Sequence, residues 1–68
     1  MLDISKTFGN KVKEIRLMNK MSQADLAKVL GVHPTDISGI ERGVRNMALR
    51  NIARLAKALN VPIEELMK

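Results

Sequence analysis

The chain has 68 residues, no cysteine, one histidine, and 12 Lys+Arg against 7 Asp+Glu, a formal net charge of +5. These numbers exclude a disulfide framework and a tetrahedral zinc site, and leave a domain small enough to depend on good helix packing or self-association. The lack of Cys, of an apolar run approaching the ~18 residues of a membrane span, and of a signal-peptide core in MLDISKTFGNKVKEIR points to the cytoplasm and away from membranes.

The elements follow in chain order. Ile4, Phe8, Val12, Ile15 and Met18 recur at helical spacing and predict a first helix over about residues 4–19. Gly9 inside it costs about 1 kcal/mol relative to Ala. It either permits close packing or marks the true start of regular helix. Ser22-Gln23-Ala24-Asp25 has the form of an N-terminal cap, so a second helix spans about 23–30, with Leu26, Ala27, Val29 and Leu30 on its apolar positions. Gly31 stops it.

Pro34 suits the first position of a helix, which places the third helix at about 34–41 and ends it before Gly43. Val32, Ile37 and Ile40 are its expected buried residues, with Thr35, Ser38 and Gly39 outside. Leu49, Ile52, Ala53, Leu55, Ala56 and Leu59 form a fourth apolar stripe. Asn60-Val61 reads as a turn. Pro62 opens a last helix with Ile63, Leu66 and Met67 inward and Glu64 and Glu65 near its positive end. No repeat or linker interrupts the chain, so one all-α domain is expected over residues 1–68.

Charge is unevenly placed. Residues 42–63 hold Arg42, Arg45, Arg50, Arg54 and Lys57 with no acid, which accounts for the whole excess. A basic segment of this kind suits a polyanionic partner; the alternative is a solvated helix face. It directly follows two short helices joined by a glycine turn, with a small residue, Ala27, where the helices cross. That arrangement presents the second helix of a pair to the DNA major groove.

MSQADLAKVLGVHPTDISGIERG followed by LRNIARLAKALNVPIEEL resembles the lambda-repressor/Cro-type (XRE-like) helix-turn-helix proteins, a compact five-helix DNA-binding fold. The likeness spans roughly residues 8–67 through Gln23, Leu26, Ala27, Gly31, Val32, Ile37, Ile40, Glu41, Gly43, Leu55, Ala56 and Leu59. ISGIERGVRN with LRNI is further similar to the controller proteins of restriction–modification systems.

The resemblance implies double-stranded DNA as partner and a homodimer on a two-fold-related operator, with Val61, Ile63, Leu66 and Met67 at the dimer contact. It implies phosphate contacts from Gln23, Arg42, Arg45 and Asn46, which Arg50 would extend. It also pairs Glu41 with Arg16 as a structural ion pair. Base contacts fall to His33, Thr35, Asp36, Ser38 and Gly39. Family members often carry Gln, Arg, Ser or Tyr where Pro34, Thr35, Asp36 and Gly39 stand here, so bidentate base reading from this helix is missing. Base reading by Arg42 or Arg45, or by DNA shape, is then needed for specificity. Asp36 is better explained as a stabiliser of the first helical turn than as an acceptor for a cytosine amino group.

Other classes fit less well. No nucleophile–base pair, phosphate-binding loop, metal-ligand set or cofactor motif is present, which argues against an enzyme. A protein-interaction module, such as an antitoxin or anti-repressor, is the competing reading. No effector pocket is evident, and an activator would need a further surface for RNA polymerase. Glu64 and Glu65 are acids of the right general class, and nothing in the sequence places them there.

Overall fold

The computed structural model describes residues 3–67. Five helices follow one another: α1 (Ile4–Met18), α2 (Gln23–Leu30), α3 (Pro34–Glu41), α4 (Leu49–Ala58) and α5 (Ile63–Leu66). Expected and observed boundaries agree to within a residue for the first three helices, because each has a local start or stop signal. Asp3 caps α1 by accepting from the Lys6 N–H at 3.2 Å. Ser22 and Asp25 form a reciprocal capping box at the start of α2, with both hydrogen bonds at 2.9 Å. Gly31 ends α2 in the left-handed conformation at φ 73°.

One core joins all five helices. Val12, Leu26, Ile37, Leu55, Leu59 and Leu66 have fully buried side chains. Ala27 is buried between α2 and its neighbours, as its size requires. Gly9 is needed for packing: a Cβ there would strike the Ile40 carbonyl oxygen and lie 2.6 Å from that of Glu41. Helix α1 therefore crosses the end of α3 at backbone contact distance. Gly43 turns the chain at φ 77°, where a Cβ would also meet the Lys6 backbone at 2.9 Å.

The expected apolar stripes hold only in part. Ile4 is 77% exposed and Met18 73%. Fifteen residues of α1 run about 22 Å whereas eight residues of α3 cover about 12 Å, so the ends of α1 overhang the helix it packs on. Val29, Val32, Leu49 and Ala53 are also exposed rather than inward. Val32 precedes α3, in the turn, and Leu49 opens α4. The buried charged positions that hydrophobic periodicity passes over are Arg16 and Glu41.

Candidate nucleic-acid interface

The second and third helices form a tight unit. The Val32 N–H donates to the Ala27 carbonyl at 3.0 Å across the Gly31 turn. At the start of α3 the His33 N–H donates to Asp36 Oδ2 at 3.2 Å, and the Asp36 N–H returns to the His33 carbonyl at 2.9 Å. Ile37 and Ile40 hold the inner face of α3 against the core. Thr35 is left exposed and Ser38 half-buried on its outer side.

The orientation of α3 is locked by a buried ion pair. Arg16 Nε donates to Glu41 Oε2 at 2.6 Å and Nη2 to Oε1 at 3.1 Å, while Nη1 donates to the Met21 carbonyl at 2.7 Å. Both side chains are less than a tenth exposed. The Glu41 hydrogen bonds raise the Arg16 pKa above its already high ordinary value, against the opposing effect of burial. Gln23, at the first residue of α2, donates its side-chain amide to Glu41 Oε1 at 3.2 Å. The expected structural pair is thus present, and the acid that ends α3, just before the basic segment, faces inward.

Around this unit the sequence-derived site residues separate into groups. Arg42 is exposed, with its Nε donating to the Ser38 carbonyl at 3.3 Å. It lines a hollow of about 320 Å³ together with Ser38, Gln23, Lys6, Asn10 and Lys13. Lys6, Asn10 and Lys13 were missed by sequence reasoning, although their i, i+4, i+7 spacing on α1 places them on one face. Asn46 is exposed and its side-chain oxygen accepts from the Ser5 hydroxyl at 3.4 Å. Arg50 is exposed at the start of α4. Arg54 donates to the Leu30 carbonyl at 2.9 Å and so caps the C-terminal end of α2.

Two expectations need correction. Gly39 is buried rather than outward, because Val44 and Arg45 fold back over it; the Val44 N–H donates to the Gly39 carbonyl at 3.0 Å. Asp36 is not a free acceptor for a base: one oxygen caps the helix and the other meets Arg45 Nη1 at 2.8 Å. Arg45 is accordingly held along α3 instead of standing free in the loop.

The helix-turn-helix family model HTH_3 matches residues 12–66. The chain belongs to this family. Control protein C.BamHI of Bacillus amyloliquefaciens is 49% identical over 61 residues, 88% of this chain and 75% of that protein. Among solved structures, the restriction-modification controller protein C.AhdI from Aeromonas hydrophila matches with TM-score 0.86 at 39% identity, covering 90% of this chain and 92% of that one. Hydroxypropylphosphonic acid epoxidase from S. wedmorenis matches with TM-score 0.92 at 29% identity, covering all of this chain and 36% of that one.

This helix-turn-helix chain also carries a groove with a largely apolar lining. Of the four residues expected at a dimer contact, Leu66 is only 1% exposed and belongs to the core, so it has no surface left to bury. Val61 and Ile63 are half-buried, and Met67 is 59% exposed. Ile4, Phe8, Met47, Ile52 and Met67 surround a groove of about 430 Å³ with Leu66 in its wall, and Arg45 and Asn46 line its edge toward α3. No helix among the described residues is long and apolar enough to cross a membrane.

Proposed function

We propose that this chain is a cytoplasmic, sequence-specific transcriptional regulator that binds a two-fold-related DNA operator as a homodimer, with α3 in the major groove. The observation that carries the reading is the joint placement of an outward helix face and cations. Thr35 is exposed and Ser38 half-buried on α3, while Arg42, Lys6 and Lys13 share one hollow beside Ser38. Lys6, Lys13, Arg42 and the N-terminus of α2 at Gln23 grip phosphates, contacts that set register and affinity. Arg50 and Asn46 extend that grip. Thr35, Ser38 and His33 meet base edges.

A second copy of the chain packs over the groove between Ile4 and Met67, and a two-fold operator read by such a dimer has half-sites about 34 Å apart. The names of the control-protein relatives support regulation as the biological role. The epoxidase carries the same fold in about a third of its length, so the fold alone does not decide function. The chain's own residues favour a binder over an enzyme, since its one histidine has no cysteine or second histidine to work with.

Titration of an arbitrary duplex at several salt concentrations tests this. A binder that neutralises several phosphates loses affinity with a log–log slope of about −0.9 per contact. A flat response would discard DNA binding and favour the protein-interaction reading, in which the apolar groove seats an unrelated partner.

A further inference from the structure

The geometry assigns Arg45 to base reading, with Asp36 as its positioning residue, so that an arginine from the following loop supplies what α3 itself lacks. This rests on the DNA-binding reading above and deepens it. Helix α3, PTDISGIE, contains no Arg, Lys, Gln or Asn, the side chains that make bidentate contacts to guanine or adenine. The loop fills the gap. A Cβ built on Gly39 would lie 3.4 Å from Arg45 Cβ and 3.5 Å from its Nε, so the Arg45 stem runs over the place where a side chain of α3 would stand.

Its far end is held one turn toward the start of the helix by Asp36, through Oδ1 to Nη1 at 2.8 Å. The N-terminal part of a recognition helix is the part that reaches base edges. A guanidinium has five N–H donors in a rigid fork, and one carboxylate oxygen leaves others free. The Arg45 side chain is 57% exposed.

Charge decides between base and phosphate. An arginine that grips phosphate gains from its full positive charge and needs no fixed direction. A carboxylate 2.8 Å away offsets that charge and repels phosphate. The O6 and N7 acceptors of guanine are uncharged, tolerate the carboxylate, and demand a fork held in one direction. The Asp36–Arg45 pair therefore suits a guanine edge and handicaps a phosphate contact.

The test is selection of bound DNA from a random pool by the unmodified chain, Arg45→Ala, Arg45→Lys, Asp36→Asn and the Asp36→Asn/Arg45→Ala double variant, with salt slopes measured on one duplex. Asp36→Asn keeps an oxygen to accept from the His33 N–H, so α3 stays capped. Expected is a guanine preference at one position of each half-site, lost by roughly tenfold in Arg45→Ala. Arg45→Lys does not restore it, Asp36→Asn weakens it at the same position, and the double variant loses no more than Arg45→Ala alone. The salt slope of Arg45→Ala stays unchanged. A uniform affinity loss with a slope lower by about one unit would make Arg45 a phosphate contact and overturn the assignment. So would unaltered site preference in Arg45→Ala, or a guanine preference untouched by Asp36→Asn. Failure of the unmodified chain to bind any duplex would remove the DNA-binding reading itself, and this assignment with it.

Discussion

Arg16 and Glu41, twenty-five residues apart, are joined by two hydrogen bonds in the interface between α1 and α3. Removing one partner strands the other charge in the interior. Glu41→Ala is expected to destabilise the fold by about 3–5 kcal/mol, against a total stability of roughly 0.05–0.15 kcal/mol per residue. Arg16→Met/Glu41→Leu, which removes both charges, should recover much of that loss. Urea unfolding followed by circular dichroism measures both, and equal instability of the single and double variants would show that stranded charge is not the cause.

Gly9 faces the backbone of Ile40 and Glu41 with no room for a methyl group. Alanine gains about 1 kcal/mol in helix propensity. The forced separation of α1 from α3 outweighs this, and Gly9→Ala is expected to be net destabilising by roughly 1–3 kcal/mol. A thermal scan that finds Gly9→Ala more stable than the unmodified chain would refute the contact.

The Ser22–Asp25 box makes stability depend on acid pH. The Ser22 backbone N–H, and after it the Ser22 hydroxyl, hold the Asp25 carboxyl below the ordinary value. The folded pKa lies below the unfolded one, so the stabilisation is present above about pH 4 and disappears as pH falls through the folded value. Asp25→Asn should flatten that part of the stability–pH curve and leave its alkaline side unchanged. Ser22→Ala removes the hydroxyl acceptor and should cost about 1 kcal/mol at neutral pH. Melting temperatures between pH 2 and 7 test both.

Arg42 and Lys13 line the hollow beside Ser38. Arg42→Ala and Lys13→Ala should each weaken binding to every duplex alike and lower the salt slope by about 0.9. Arg54→Ala should leave the slope intact, because its guanidinium donates to the Leu30 carbonyl. Fluorescence anisotropy at four salt concentrations suffices, and a reversed order among the three variants would relocate the phosphate contacts.

The apolar groove gives a test of assembly. Ile4→Glu and Met67→Glu place charge on exposed positions and should yield folded monomers in sedimentation experiments. Leu66→Lys buries an ammonium in the core and should unfold the chain instead. Dimers that persist in both glutamate variants would put the contact elsewhere.

Much of this molecule was legible in its sequence. The bounds of α2 and α3, their caps at Ser22 and Gly31, and the inward Ile37 and Ile40 follow from signals a few residues long. Backbone hydrogen bonding within one turn produces those signals, so no distant contact is needed to read them. The Arg16–Glu41 pair was legible through family resemblance alone. Tertiary structure decided the rest. Whether Gly9 marks the start of regular helix or admits a neighbour depends on where α3 lies. Leu66 and Met67 are adjacent and both apolar, yet only packing against the other helices separates core from surface. Asp36 and Arg45 meet because Gly43 turns the chain back over Gly39, a distance relation that no local pattern of residue types encodes.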